Sequence, residues 1–319
     1  MRPRFVAGLS FIIAAIVATW AASAGPLRAA LMARHDAQAQ ADGGLPGVAG
    51  DRGSAQIPSD IKVTRDVAYG SAPGQRLDVY ALTAAKEAPV IVMVHGGAWM
   101  FGKRTARTVV QNKIAHWVPK GFVFVSVDYR MVPEVEVSDE AQDVASALAF
   151  VQQHAGQWGG DGHRVVLMGH SAGAHLVALL SASPAVTQAQ GVQPWLGTIA
   201  LDSAAYDVSA IMRRRHYRFY DRAFGSDPRV WAADSPTTQL TTRSVPFLGV
   251  CSSQREDSCP ATREFVAKAI ALGTRAQVLP ADKTHEQIND TLGEDPAYTV
   301  AVDAFLSRLD PGIAHMLSR

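Results

Sequence analysis

Residues 90–94 read Val-Ile-Val-Met-Val, an apolar run with no polar interruption. A strand with water on one face alternates polar and apolar residues, so an unbroken run needs cover on both faces. That feature excludes a sheet left open to solvent and demands helices above and below. The rest of the chain agrees. Phe122–Val127 and Arg164–Met168 are further apolar runs, and Ile199–Leu201, Phe247–Cys251 and Ala276–Leu279 are weaker ones. Helical patterns lie between them. Within Ser138–His154, the residues Ala141, Val144, Leu148 and Val151 recur at helical spacing, and Ala172–Ser183, Pro260–Leu272 and Pro296–Leu309 complete the set. Strands alternating with helices predict an α/β fold with a mostly parallel central sheet and helices on both faces. Ile61–Tyr69 and Arg76–Leu82 alternate in the manner of a hairpin, which adds an antiparallel edge near the N-terminus.

The 319 residues suit one large domain behind a leader. Arg2 and Arg4 precede the nearly all-apolar stretch Phe5–Ala22, and Ala22-Ser23-Ala24 fits a small-x-small cleavage site. Residues 1–24 are expected to be a signal peptide. The alternative is a membrane anchor, since the run approaches the roughly 18–20 residues that span a bilayer. Either reading exports the remainder to the periplasm or beyond, with attachment to the membrane in the second case. Residues 25–58 are rich in Ala, Gly, Gln and Asp and read as a linker, and residues 59–319 as the folded domain. In an oxidising compartment the only two cysteines, Cys251 and Cys259, are expected to form a disulfide. With no histidine nearby they make a poor zinc site.

Charge narrows the partners. Thirty basic and 29 acidic residues leave a net charge of +1, which gives no electrostatic basis for binding nucleic acid. The run Arg213-Arg214-Arg215 reads as a solvated helix face.

Gly169-His170-Ser171-Ala172-Gly173 stands between the strand Arg164–Met168 and an Ala- and Leu-rich helix, the context of a nucleophile elbow. Such a turn is too tight for side chains at its flanking positions. It lifts the Ser171 hydroxyl above the sheet at a helix N-terminus, where backbone N–H groups favour developing negative charge. His95-Gly96-Gly97-Ala98-Trp99 ends the 89–95 strand. Its glycines let the backbone turn N–H groups toward an incoming oxygen, so Gly97, Ala98 and, from the elbow, Ala172 are the candidate oxyanion donors. Trp99 and His170, within the two motifs, are candidate substrate contacts, each with core packing as the alternative.

These motifs, together with Asp128-Tyr129-Arg130 and Pro133-Glu134, resemble those of the α/β-hydrolase carboxylesterases. They are most similar to the branch of hormone-sensitive-lipase-like, kynurenine-formamidase-like and feruloyl or acetyl-xylan esterases. Ala98 stands where the lipase branch has a third glycine, which tilts the likeness toward the formamidase and feruloyl-esterase side. The resemblance spans about residues 60–310. It implies an α/β-hydrolase fold with a small cap at about residues 206–235. It also implies a small-molecule ester as substrate, with amide or formamide cleavage as the alternative, and no metal or organic cofactor. A non-catalytic binding protein is the alternative from another class. A serine hydroxyl needs a base, and the base needs an acid to hold its tautomer. Of His216, His285 and His315, the family places its base at His285, read here as a loop residue after the strand Ala276–Leu279. Family spacing favours Asp257 as the acid, after the strand Phe247–Cys251. Glu256 is the alternative, and Asp202, at the end of Ile199–Leu201, a weaker one. A Cys251–Cys259 bridge would clamp both ends of the loop bearing Asp257.

Overall fold

The computed structural model describes residues 55–318. The expected leader (1–24) and nearly all of the expected linker (25–58) lie outside the described residues. Among the described residues no helix is long and apolar enough to cross a membrane.

In chain order the elements are β1 (Ile61–Ala68), β2 (Arg76–Leu82), β3 (Ala88–Val94), α1 (Arg107–Trp117), β4 (Val123–Val127), α2 (Val137–His154), β5 (Gly160–His170), α3 (Ala172–Ala182), α4 (Pro184–Ala189) and β6 (Gly197–Leu201). Four short helices follow: α5 (Val208–Met212), α6 (Arg218–Phe224), α7 (Pro228–Ala233) and α8 (Pro236–Gln239). The chain then runs through β7 (Phe247–Ser252), α9 (Ser258–Ala271), β8 (Ala276–Ala281), α10 (His285–Asp290), α11 (Pro296–Ser307) and α12 (Pro311–Leu317).

The strands form one sheet in the order β1-β2-β4-β3-β5-β6-β7-β8. β1 and β2 pair antiparallel, as do β2 and β4, and every later pairing is parallel. The mostly parallel sheet with an antiparallel N-terminal hairpin is therefore present as expected. Val90–Val94 are fully buried, and their alternation divides the interior in two. Val90, Val92 and Val94 join the cluster containing α2 and α3, such as Val144, Leu148 and Leu176. Ile91 and Met93 join the other, with Ile114 and Trp117 of α1 and Val302 and Leu306 of α11. Each such aliphatic side chain stabilises the fold by roughly 1.5–3 kcal/mol on burial. The unbroken run thus has its physical cause in two helical layers.

α1 shows why one helix was hard to read. Its buried face carries Val109, Val110, Ile114 and Trp117, but also Lys113, which breaks the apolar pattern. The Lys113 ammonium is buried and donates to the Asn289 carbonyl at 2.6 Å. Burial lowers its pKa to about 7.

Strand order reverses where β3 lies between β4 and β5. Loops leaving β3 and β5 diverge there, and a crevice opens beyond the carboxyl ends of the strands. Val94 of β3 pairs with Gly169 of β5, so the two sequence motifs emerge side by side.

Candidate active site

Ser171 follows β5 directly and is the N-cap of α3. Its φ of 56° and ψ of −117° lie in a region that side chains rarely adopt. Close contacts on both flanks hold it there. A Cβ on Gly169 would come 2.3 Å from the Gly173 oxygen, and one on Gly173 would come 2.3 Å from the Val94 oxygen. Both neighbours are backbone, so only glycine fits. The Ser171 N–H donates to the Leu201 carbonyl at 3.0 Å, which ties the elbow to β6.

His285 stands at the first position of α10, not in an irregular loop as expected. Thr284 caps that helix by accepting from the Gln287 N–H, and Gln287 returns the bond to the Thr284 N–H. The cap sets the direction of the imidazole. Its Nε2 lies 2.9 Å from the Ser171 Oγ, and its Nδ1 lies 2.5 Å from Oδ2 of Asp202. With Nδ1 protonated and donating to Asp202, Nε2 is free to accept the Ser171 proton.

The structure brings Ser171 and His285 together and does not bring Asp257 to them. Asp257 is the N-cap of α9, its side chain is 39% exposed, and its carboxylate pairs with Arg255 at 3.1 Å. Glu256, the alternative acid, is exposed. The carboxylate on His285 is Asp202, which was the weaker candidate. The register explains the outcome. His170 pairs with Leu201 across β5 and β6, so the next residues, Ser171 and Asp202, leave adjacent strands at the same level. Asp202 also has a positive φ, 59°. β7, by contrast, ends on Ser252, and the first carboxylate after it comes only at Glu256. An acid directly at a strand end, beside the elbow strand, was the signal to weigh.

Asp202 is fully buried and well partnered. Oδ1 accepts from the Ser252 N–H at 2.7 Å and from the Ser258 hydroxyl. Oδ2 accepts from Arg255 Nη1 at 2.9 Å as well as from His285. Burial alone would raise its pKa. The His285 hydrogen bond, with the charges of His285 and Arg255, outweighs burial and holds the carboxyl well below the usual carboxylate range. Cys251 and Cys259 are bridged, with their Cα atoms 5.0 Å apart. The bridge does not clamp the acid itself. It closes the loop carrying Ser252, Arg255 and Ser258, which grips the acid from outside.

Trp99 and His170 sit behind the site. The Trp99 indole is buried, donates to His175 Nδ1 at 3.1 Å, and meets Phe219, Tyr220 and Phe224 of α6. Burial lowers the His175 pKa to about 4, so the ring is neutral and can accept that bond. His170 is buried against the His285 ring, 4.6 Å away between centroids, and its Nε2 lies 3.0 Å from the His285 carbonyl. Burial, then the His285 charge, holds His170 well below the ordinary histidine range. Neither residue lines the cavity beside His285, which has a volume of about 870 Å³. Its walls come from the β6–β7 segment, including Tyr206, Ile211 and Tyr220, and from residues 254–257. Of Ser171 and His285, only His285 lines it.

Gly97 turns with φ 130°, and its carbonyl accepts from the N–H groups of Met100 and Phe101 at 3.1 and 2.9 Å. Ala98 and Trp99 follow with φ of 51° and 63°. Ala172 is the first residue of α3, a position at which a helix leaves its N–H without an intrahelical partner.

A family model described as BD-FAE matches residues 77–256. A probable isoprenylcysteine alpha-carbonyl methylesterase of Oryza sativa subsp. japonica is 35% identical over 133 residues, 41% of this chain and 31% of that protein. Esterase LipC of Mycobacterium tuberculosis is 31% identical over 232 residues, 67% of this chain and 56% of that protein. The matches thus span about a third to just over half of these relatives. Among solved structures, Esterase B from Lactobacillus rhamnosis superposes with a TM-score of 0.65 at 19% identity, covering 94% of this chain and 96% of that one. That likeness shows the fold, an α/β-hydrolase fold.

Proposed function

The chain belongs to the BD-FAE family, and from that premise we propose that it hydrolyses carboxylic esters through an acyl-enzyme on Ser171. The observation that carries this reading is the continuous path Ser171–His285–Asp202, with contacts of 2.9 and 2.5 Å. Ser171 Oγ attacks the acyl carbon while His285 Nε2 takes its proton. Asp202 holds the imidazole in the required tautomer and balances the imidazolium that forms. The N–H groups of Gly97, Ala98 and Ala172 receive the oxyanion, each contributing about 3–4 kcal/mol to the barrier reduction. His285 then protonates the departing alkoxide, and water repeats the sequence on the acyl-enzyme. The positive φ values at Ala98, Ser171 and Asp202 gather at this one place, as strain often does where a site must be held ready. Nothing in the fold or in these relatives favours amide over ester cleavage.

The cavity beside His285 offers room for one side of a small or medium ester. Its roof is the β6–β7 segment, which serves as the cap. Tyr220 and Phe224 of that segment are buried against Trp99, so these aromatics anchor the cap to the oxyanion loop. Export remains part of the proposal. It is supported by the apolar N-terminal run and by a disulfide of the kind that persists in oxidising compartments.

The deciding experiment is a fluorophosphonate label read together with a series of p-nitrophenyl esters. The native chain should label and turn over the short esters. Ser171→Ala should abolish the label and lower kcat/KM by at least about 10³-fold while the melting temperature holds. A labelled or active Ser171→Ala variant would refute the assignment.

A further inference from the structure

Asp202 is a buried carboxylate that His285 reaches through one oxygen. A buried carboxylate without a countercharge is costly. The cation beside it is Arg255. Its Nη1 lies 2.9 Å from Asp202 Oδ2 and 2.9 Å from His285 Nδ1, while Nη2 reaches Asp257 at 3.1 Å. The guanidinium is thus shared between two carboxylates and touches the base.

We propose that Arg255 is a positioning residue for the site, holding the Asp202 carboxylate and opposing a second positive charge beside it. The inference rests on the Ser171–His285–Asp202 reading above.

Three of the four groups bonded to the Asp202 carboxylate come from residues 252–258, inside the Cys251–Cys259 loop. The loop is a receptor for the acid, and Arg255 is its charged member. Two consequences follow for the base. When His285 is protonated, Nδ1 and Nη1 are two cationic donors 2.9 Å apart, competing for one oxygen. Arg255 also neutralises part of the Asp202 charge that would favour the imidazolium. Both effects act in one direction, against a second positive charge beside Arg255. Asp257 then has a use other than the one expected of it. It gives the guanidinium a second anchor, toward which it can lean while the imidazolium exists during turnover.

The other groups near this cluster do not duplicate Arg255. His170, from the end of β5, is kept neutral by burial. Tyr206, before α5, and Tyr298 of α11 interact with Asp202, and burial raises the pKa of both, so they remain uncharged near neutrality. Lys113 of α1 acts on His170 and has its own pKa lowered to about 7 by burial. It is common to every variant compared below. Glu286 and Glu256 line the cavity beside His285.

The test is the pH dependence of kcat/KM for p-nitrophenyl acetate, which reports ionisations of the free enzyme. Arg255→Met, Arg255→Gln, Arg255→Lys and the native chain are compared, with melting temperatures. Loss of the charge should move the acid limb to higher pH by about one unit. Near pH 5.5 that is about a tenfold loss relative to the native chain, with rates within about threefold at pH 8.5. Arg255→Lys should recover most of the displacement. If the methionine variant does not fold, the glutamine variant, which keeps a donor without the charge, carries the measurement. Neutral variants whose limb coincides with the native one overturn the proposal. So does a uniform loss at every pH, and so does a lysine variant displaced as far as the neutral ones. Asp202→Asn separates the two readings. Native activity in that variant would refute the triad itself. An inactive Asp202→Asn beside unshifted Arg255 variants would refute only the role of Arg255.

Discussion

Ser171 and Asp202 leave neighbouring strands, β5 and β6, yet they are held in different ways. Ser171 is held by backbone. Gly169 and Gly173 admit carbonyl oxygens where a Cβ would stand, and the Ser171 N–H binds the Leu201 carbonyl. Asp202 is held by a ring of donors from another part of the chain: Ser252, Arg255, Ser258 and His285. One side is a turn whose own residues, Gly169 to Gly173, carry the motif. The other is an assembly across roughly eighty residues of sequence, closed by a disulfide. A site built locally betrays itself as a motif, and a site built from distant donors does not.

The sharpest way to break this comparison is a pair of substitutions. Asp202→Asn should lower kcat/KM by about 10³- to 10⁴-fold, because the imidazole loses both its tautomer and its counterion. Asp257→Asn should cost no more than about fivefold, since its carboxylate pairs with Arg255 and not with His285. The reverse ranking in steady-state kinetics would hand the role of acid to Asp257. On the nucleophile side, Gly173→Ala places a Cβ 2.3 Å from the Val94 oxygen and 2.5 Å from the His95 oxygen. Rigid backbone cannot yield there, so thermal unfolding should show a loss of about 1–3 kcal/mol together with impaired labelling of Ser171. Normal labelling and stability would mean the elbow has slack. The last variant returns to the acid side. Cys251→Ser with Cys259→Ser opens a loop whose closure stabilises by about 2.5 kcal/mol. The melting temperature should fall, and kcat should drop about tenfold as the grip on Asp202 loosens, while Ser171 still labels. Unchanged turnover in a verified double variant would show that the loop holds Asp202 without the bridge.

The likeness to esterases bears on the elbow more than on the acid. A BD-FAE match over residues 77–256 includes His95–Trp99, the elbow and Asp202, but ends before His285. His285 is therefore placed beside Ser171 by the geometry of β8 and α10 and not by the family match.

Much of the architecture was legible along the chain. The apolar run at 90–94 required a three-layered sheet. The hairpin signal placed the antiparallel edge, and the strand–turn–helix context marked Ser171 as a nucleophile candidate, because each depends on neighbours in sequence. His285 was legible in position but not in setting, since the capping box that makes it the first residue of a helix was read as loop. α1 was hidden by Lys113, whose buried ammonium makes its shorter hydrogen bond, 2.6 Å, to the carbonyl of a residue 176 positions away. The same physical limit governs the acid. Spacing along the chain says which carboxylates can reach a strand end. It does not say that Leu201 stands level with His170, nor that three donors from a bridged loop will stabilise one buried carboxylate over another more exposed. Sheet register and the desolvation of a charge are properties of the folded whole, so the choice of Asp202 and the setting of Arg255 were decided in three dimensions.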